Sequence, residues 1–301
     1  MEHVTLRLTW NLKAEHAPLL LAAEKGFFAA EGLEVEIAEG DDVNTTLDHV
    51  ADGKEVVAFG SAEAAIRAID RNRPLQVIAV YGRTVPWAIV ARPGVVLRSA
   101  KDLAGHTLAI AKEGTFEPIL RAWAAREGVD LRHVTLVPLN EEDKAAQFMS
   151  GKVDLAAVYT NNQVPVWEHQ TGTKLAVLRL FESGLQVPGT ALISSRKFAQ
   201  EHSALLQKLV RGINGGYAYA TRHVDEAAAV VSGHLSGKTD VNVIKSQIRQ
   251  TIELLPDSAG GKPSGRLSDA NWQQALDLLH ESGLIKQRQP LQAYYDSGLI
   301  K

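Results

Sequence analysis

Residues 4–37 have the sequence VTLRLTWNLKAEHAPLLLAAEKGFFAAEGLEVEI. The stretch begins and ends with alternating apolar and polar residues, which is the pattern of a β-strand with one buried face. The apolar run between these ends starts at Pro18, and the first turn of a helix tolerates a proline because its N–H groups are unbonded there. Gly26 and Gly32 then interrupt the helical pattern. The stretch therefore predicts a strand–helix–strand unit with parallel strands.

The same order of segments returns about a hundred residues later in the chain. The segments HTLAIAKEG, AAREGVDLRHVTLV and MSGKVDLAAVY resemble, in turn, VTLRLTWN, AAEGLEVEI and ADGKEVVAFG. Three matches in register predict two lobes built on one plan, each a mixed sheet flanked by helices, so the expected fold class is α/β. We place the first lobe at residues 1–88 and 190–301 and the second at residues 89–189.

Hydrophobic periodicity and turn residues predict further elements along the chain. Helices are predicted at residues 43–51, 62–71, 204–222, 224–235, 241–254 and 268–282, and strands at residues 55–60 and 75–81. Proline and glycine beside strand-like runs predict that residues 81–91 and 188–194 carry the chain between the lobes.

Composition excludes several classes of function. The chain has 301 residues, 45% of them hydrophobic, and a formal net charge of −3 with charges of both signs interspersed, so we expect no nucleic-acid partner. It has no cysteine, which excludes disulfides, thiolate metal sites and a cysteine nucleophile. None of its 10 histidines lies four residues from another, so we expect no metal site, and no motif indicates a cofactor.

Two segments carry a resemblance to a known family. WNLKAEH, which runs from Trp10 to His16, is followed by AAEKGFFAAEGLEVEI, and residues 272–295 read WQQALDLLHESGLIKQRQPLQAYY. These segments resemble the NMT/THI-like thiamine-precursor-binding family of type II periplasmic substrate-binding proteins. That family is related to the sulfonate, taurine and nitrate receptors of ABC importers.

The resemblance implies a type II periplasmic binding protein fold with a ligand cleft between two lobes that close around the ligand. It further implies a monomeric receptor that is not an enzyme and that delivers a small molecule to an ABC permease in the membrane. Met1 leads directly into the first strand, so we expect either an extracytoplasmic protein whose signal peptide has been removed or a cytoplasmic protein. The resemblance favours the first.

The candidate ligand-binding residues follow predicted strands, because ligands of open α/β sheets bind beyond the carboxyl ends of the strands. They combine aromatic rings with amide, hydroxyl and carboxylate groups, which suits a flat heterocycle that stacks and accepts hydrogen bonds. The set is Trp10, Asn11, His16 and Ser61 from the first lobe, and Glu113, Gly114, Thr115, Phe116, Glu117, Tyr159, Asn161 and Asn162 from the second.

A structural role stands beside the binding role for most of these residues. Trp10 is equally a core aromatic, and Asn11 and the amides at residues 161–163 are equally caps. His16 is equally a helix-start residue bonded to a neighbouring backbone group, and Glu117 equally a first-turn residue that favours the helix dipole. Trp87 and Tyr81 are expected to be structural, and residues 141–143 to form an exposed first turn of a helix.

The loop at residues 112–117 bears on the charge of the ligand. Related sulfonate receptors present uncharged, hydroxyl-rich turns there, whereas Glu113 and Glu117 would repel a sulfonate and accept from an exocyclic amine or a protonated ring nitrogen. We therefore expect a thiamine-type aminopyrimidine precursor. An alkanesulfonate, taurine or another small organic anion is the alternative, and a larger heterocycle such as a flavin stays open.

An enzyme is the competing class of function. The same superfamily includes a pyrimidine synthase and a sulfinate-cleaving hydrolase. Where the resemblance to the synthase requires a lysine and a histidine, this chain has Gly60 and Ala64, and it lacks the cysteine that the hydrolase requires. A cytoplasmic pyrimidine-synthase-like enzyme is therefore the less favoured alternative.

Overall fold

The computed structural model describes residues 1–112, 115–256, 263–296 and 298. The chain separates into two compact units, which are described one at a time. The first comprises Met1–Val85, Val187–Gln274 and the chain from Gln287, and the second comprises Pro86–Gln186 and Ala275–Lys286. The predicted lobe boundaries stay a prediction. The units change three residues earlier at each crossing, and Ala275–Lys286 lies in the second unit, where Glu281 accepts from the Arg126 guanidinium at 2.6 Å.

The strands, in chain order, are β1 (Glu2–Leu8), β2 (Leu33–Ala38), β3 (Val57–Ser61), β4 (Leu75–Val80), β5 (Trp87–Ala91), β6 (Thr107–Ala111), β7 (Thr135–Leu139), β8 (Leu155–Tyr159), β9 (Ala176–Arg179) and β10 (Thr190–Ser195).

The helices are α1 (Ala17–Glu24), α2 (Phe27–Ala30), α3 (Val43–Ala51), α4 (Ala62–Asp70), α5 (Phe116–Arg126), α6 (Glu141–Met149), α7 (Gln163–Thr171), α8 (Arg196–Glu201), α9 (Ser203–Arg222), α10 (Val224–Ser232), α11 (Val241–Glu253) and α12 (Asp269–Glu281). Short 3-10 helices occupy Ala14–His16, Ala100–Leu103, Leu131–His133, Leu180–Ser183 and Leu291–Ala293.

The two sheets share one plan. The strand order is β2-β1-β3-β10-β4 in the first unit and β7-β6-β8-β5-β9 in the second. β1, β2 and β3 pair in parallel while β10 is antiparallel to both its neighbours; β6, β7 and β8 likewise pair in parallel while β5 is antiparallel to both its neighbours. The predicted repeat and the predicted mixed α/β sheets are confirmed, since β1, β2 and β3 correspond to β6, β7 and β8.

Local sequence explains where the helices begin. Asp42 accepts from the N–H of Thr45 at 2.9 Å and so caps α3, whose bounds are those predicted. Ser268 accepts from the N–H of Asn271 ahead of α12 at 3.2 Å, as expected for a cap. α10 ends at Ser232, three residues before its predicted end, and Gly233 follows it.

The core of the first unit is closed by the long helix α9, which lies against α1 and α2. Apolar residues of β1 and β3, among them Leu6, Leu8 and Phe59, are fully buried beneath it. A Cβ on Gly216 of α9 would collide with the carbonyl oxygen of Pro18 and lie 2.8 Å from the Cβ of Ala22. Glycine at this position therefore sets how closely α9 approaches α1.

The core of the second unit lies between its sheet and the helices α6 and α7. The rings of Phe148 and Trp167 stack there with centroids 4.6 Å apart. Alanines of β5, β6 and β8 lie beneath them and leave room for these rings. Among the described residues, no helix is both long and apolar enough to cross a membrane.

Substituting Gly216→Ala tests the close approach of α9 to α1. Alanine would gain helix propensity but would force the two helices apart, so we expect a loss of about 1–3 kcal/mol in the free energy of unfolding. Gly233→Ala is the matched control, because its added Cβ would meet only the carbonyl oxygen of Val230 at an ordinary 3.5 Å. Thermal and urea unfolding of both variants checks this, and equal stability of the two would contradict it.

Candidate functional site

The first unit brings its candidate residues to the carboxyl ends of two adjacent strands. β1 and β3 are parallel neighbours with Leu8 opposite Phe59, and the N–H of Thr9 donates to the carbonyl of Phe59 at 3.1 Å. The residues that follow these strands therefore lie side by side. Trp10 lies two residues beyond the end of β1 and is 45% exposed, which excludes the core role that the sequence left open.

A glycine holds the loop that carries Trp10. The N–H of Gly40 donates to the carbonyl of Trp10 at 3.3 Å. A Cβ on Gly40 would collide with the carbonyl oxygen of Leu8 and lie 2.8 Å from the Oγ1 of Thr46, so no larger residue fits at this approach. The carboxylate of Glu39 accepts from the N–H of Leu12 at 2.5 Å and fixes the other side of the loop.

His16 is buried at the end of this loop. Its Nδ1 accepts from the N–H of Lys13 at 2.9 Å, and its ring meets Phe59 edge-on with centroids 6.5 Å apart. Burial lowers the pKa of His16 from its usual value of 6.5, against the smaller opposing effect of the Glu15 carboxylate. His16 is therefore neutral at pH 7, and its proton is on Nε2 because Nδ1 is an acceptor. The structure therefore shows the bond from His16 to a neighbouring backbone group, which the sequence left as one of two roles.

The side chain of Ser61 has a structural role in the fold, whereas that of Asn11 has none among the described residues. The Oγ of Ser61 accepts from the N–H of Ala64 at 3.1 Å and caps α4, which is a structural use of this hydroxyl. The side chain of Asn11 is exposed, and within the described ranges it makes no hydrogen bond. Ligand contact stays a prediction for both.

The second unit has a pocket at the corresponding edge of its sheet. Its empty volume is about 310 Å³. The residues that line it come from the ends of β6 and β8, the start of β5 and the first turns of α5, α6 and α7: Trp87, Ala111, Phe116, Glu141, Lys144, Ala157, Val158, Tyr159 and Gln163. A pocket at this edge agrees with the rule that ligands bind beyond the carboxyl ends of parallel strands.

One wall of this pocket is aromatic. Trp87 and Tyr159 are directly paired residues on the antiparallel strands β5 and β8, so their side chains lie on the same face of the sheet. Phe116 meets the Trp87 ring edge-on, with centroids 6.1 Å apart and an angle of 76°. Tyr159 is 41% exposed, whereas Trp87 and Phe116 are buried. Trp87, expected to be structural, therefore also lines the pocket; Tyr81 is buried in the first unit and stacks on Tyr217.

Another part of the pocket lining is polar and connected by hydrogen bonds. The ammonium of Lys144 donates to one carboxylate oxygen of Glu141 at 2.8 Å, and the side-chain amide of Gln163 donates to the other at 3.2 Å. The amide oxygen of Gln163 in turn accepts from the N–H of Tyr159 at 2.9 Å. Lys144 is only 3% exposed. Glu141 belongs to the first helical turn that was expected to be exposed, and its side chain is 60% exposed; this residue also borders the pocket.

The remaining candidates of the second unit lie around the first turns of α5 and α7. Glu117 accepts from two nitrogens of Arg121, one turn further along α5, at 2.6 and 3.1 Å, so its charge is matched within the helix. Thr115 precedes α5 and makes no side-chain cap. Asn161 is buried, and the N–H of Asn162 donates to the carbonyl of Tyr159 at 3.2 Å. Glu113 and Gly114 lie outside the described residues. Ligand contact stays a prediction for all of them.

Of the nine residues named above that line the pocket, Phe116 and Tyr159 belong to the predicted set, whereas Trp87 and Glu141 were expected only as a structural and an exposed group. Lys144 was missed, because a lysine three residues after a glutamate is typical of an exposed helix. The repeat contained one signal. Asn140 caps α6 as Asp42 caps α3, and when the two caps are aligned in sequence, Lys144 corresponds to Thr46. Over the described ranges no cluster of three or more His, Asp or Glu side chains is arranged to hold a metal ion.

The fold defines the class of the protein. The periplasmic aliphatic sulphonate binding protein SsuA of Escherichia coli matches with a TM-score of 0.75 at 16% identity, covering 97% of this chain and 91% of that chain. At this identity the likeness shows the fold alone, which is the periplasmic binding protein fold. The predicted fold class is confirmed.

The chain belongs to the family described as NMT1/THI5 like, whose family model matches residues 13–227. Among its relatives is the formylaminopyrimidine-binding protein of Halalkalibacterium halodurans, 24% identical over 95% of this chain and 87% of that protein. The riboflavin-binding protein RibY of Chloroflexus aurantiacus is 28% identical over 75% of this chain and 65% of that protein. The family expected from the sequence is confirmed.

The neutral state of His16 predicts how stability depends on pH. Because burial lowers its pKa, the unfolded chain binds a proton below about pH 6.5 that the folded protein does not, so the free energy of unfolding decreases as the pH falls below 6.5. The variant His16→Asn should lose less of this free energy than the wild type between pH 7 and pH 5. His133→Asn, at an exposed histidine, is the control and should follow the wild type. Urea unfolding at each pH measures this, and parallel curves for all three proteins would contradict it.

Proposed function

We propose that the chain is the substrate-binding protein of an ABC importer and that it binds a small heterocycle of the thiamine-type aminopyrimidine class. In this proposal it acts outside the cytoplasmic membrane as a monomer, delivers its ligand to a membrane permease and catalyses no reaction. The observation that carries the proposal is the pocket of the second unit, whose lining combines aromatic rings with a carboxylate.

The pocket supports a flat ligand that carries hydrogen-bond donors. Trp87, Phe116 and Tyr159 offer aromatic faces and edges against which a ring packs, and stacked or edge-to-face rings attract each other. Glu141 offers a carboxylate whose side chain is 60% exposed and so can accept from an exocyclic amine. The names of the two relatives, one for a formylaminopyrimidine and one for riboflavin, support a nitrogen heterocycle as the ligand class.

The charges of the pocket bear on the alternative of a sulfonate or another small anion. A buried ammonium on Lys144 favours an anion when it stands alone. Here the Glu141 carboxylate lies 2.8 Å from it, so the pair adds no net charge to the pocket. We therefore propose the heterocycle first and keep the anion as the second candidate.

The enzyme alternative finds little support in the chain. The positions at which the resemblance to a pyrimidine synthase requires a lysine and a histidine hold Gly60 and Ala64. Ala64 donates its N–H to the cap formed by Ser61. Gly60 has no room for any side chain, because a Cβ there would collide with the side chain of Thr9. We propose that the chain binds its ligand unchanged.

A thermal-shift screen tests the ligand class. The protein is unfolded, washed and refolded to remove any ligand that was carried over, and is then heated with aminopyrimidines, thiamine, riboflavin, taurine, alkanesulfonates and nitrate. A ligand present at a hundred times its dissociation constant stabilises the folded state by about 2.7 kcal/mol. We expect 4-amino-5-hydroxymethyl-2-methylpyrimidine to raise the unfolding temperature and taurine to leave it unchanged. A shift with taurine alone would assign the chain to the anion receptors.

Chemical conversion separates a receptor from an enzyme in the same samples. A bound pyrimidine recovered after denaturation should be unchanged in mass. Recovery of a phosphorylated or otherwise altered pyrimidine would contradict the proposal that the chain is not an enzyme.

Substitution of the exposed aromatic residue of the pocket tests whether its rings bind the ligand. Tyr159→Ala should weaken binding about tenfold, which corresponds to about 1.4 kcal/mol, because it removes a ring that packs on the ligand. Tyr159→Phe keeps an aromatic ring and is the matched control, with affinity near that of the wild type. Isothermal titration measures the dissociation constants. Unchanged affinity in Tyr159→Ala would exclude this ring from the site.

A further inference from the structure

Lys144 is a charged residue in a position that the fold otherwise fills with a small side chain. Lys144 and Thr46 are each the fourth residue of the helix that follows the second strand of their unit, and each helix is capped by the side chain immediately before it. Thr46 is 4% exposed and Lys144 is 3% exposed. The repeat therefore places both side chains against the sheet, and in the second unit alone that side chain is cationic.

The ammonium of Lys144 has more N–H groups than it has hydrogen-bond acceptors among the described residues. An ammonium carries three N–H groups. Glu141 is its one hydrogen-bond acceptor among the residues that the structure describes, at 2.8 Å. A buried donor that lacks an acceptor is costly, and Lys144 lines the pocket, where a ligand can supply that acceptor.

The Glu141 carboxylate beside it can accept further hydrogen bonds. Each oxygen of Glu141 accepts one hydrogen bond, from Lys144 and from the Gln163 amide, and a carboxylate oxygen has two lone pairs. Gln163 holds the carboxylate in place and is held in turn by the N–H of Tyr159. The end of the pocket thus presents a donor next to an acceptor, both fixed in position.

We propose that Lys144 and Glu141 together determine ligand specificity, by recognising a ring edge on which a hydrogen-bond acceptor lies next to an amine. In a 4-aminopyrimidine, Lys144 donates to the ring nitrogen and Glu141 accepts from the exocyclic amine. The pair disfavours a sulfonate, whose oxygens are acceptors only and give Glu141 no donor. It also disfavours a ring protonated at that nitrogen, which has no acceptor to offer Lys144 there. This inference rests on the proposed function and names the residues that select its ligand.

Two probes and three variants test the assignment of each residue to one ligand group. The probes are 4-amino-5-hydroxymethyl-2-methylpyrimidine and 5-hydroxymethyl-2-methylpyrimidine, which keeps the ring nitrogens and lacks the amine. The variants are Lys144→Met, Glu141→Gln and, as the matched control, Lys174→Met. Lys174 also pairs with a glutamate, Glu168 at 2.5 Å, but its side chain is 87% exposed. Titration calorimetry gives the dissociation constants, and circular dichroism shows that each variant is folded.

We expect Lys144→Met to weaken both probes at least about tenfold, since a hydrogen bond to a charged group is lost in each case. Glu141→Gln should weaken the aminopyrimidine by a similar factor and leave the probe without the amine within about twofold of the wild type. Lys174→Met should change neither. A purely structural role for Glu141 would weaken both probes equally, which would overturn the proposal.

Two further outcomes separate this inference from the proposed function. If the wild type binds the aminopyrimidine and Lys144→Met binds it equally well, the inference falls while the receptor function stands. If the wild type binds taurine and neither pyrimidine, both fall. If Lys144→Met does not fold, Lys144→Gln replaces it, because glutamine keeps an N–H donor on a side chain of similar length. We expect Lys144→Gln to bind both probes more weakly than the wild type but still measurably. Wild-type affinity for both probes would overturn the proposal.

Discussion

The parallel pairing of β1 with β3, and of β6 with β8, is the constraint on which the rest of each unit depends. Parallel neighbours cannot be joined by a tight turn, so the chain leaves the sheet at one edge and returns to the other through helices. Every parallel strand then ends at the same edge, and the helix that follows it begins there. Trp10 and Ser61, or Phe116 and Tyr159, lie near one another for this reason, although they are far apart in the chain.

This arrangement leaves little space at the strand ends of the first unit, and glycine occupies the two positions where a side chain would collide. Gly60 at the end of β3 lies against the side chain of Thr9, and Gly40 lies against the carbonyl of Leu8. A larger residue at either position would force the neighbouring chain to move. Thr9, directly after β1, is buried against Gly60, and Trp10, one residue further, is exposed.

The sequence predicted most of the fold because the signals it used are local. α3 has the predicted bounds, since an aspartate cap fixes its start and Gly53 follows its end with a backbone angle φ of 74° that helices do not adopt. The strand plan could be predicted because three matching segments occur in the same order in both halves. The polar end of the pocket could not, since Glu141 and Lys144 form a pattern that is common on exposed helices. Lys144 is buried because α6 packs on β6 and β8, and the contact with β6 joins segments that are distant in sequence.

The comparison of the two units separates what the fold requires from what the site requires. The helices α3 and α6 have equal length, equivalent side-chain caps and equivalent places after the second strand of each sheet. Thr46 fills the equivalent position in the first unit, so the shared plan does not by itself require a cation there. Burying the Lys144 ammonium removes it from water, and this cost offsets much of its attraction to the exposed Glu141 carboxylate. Lys144 and Glu141 are thus better explained by what they present to the pocket than by what they add to the stability of the fold.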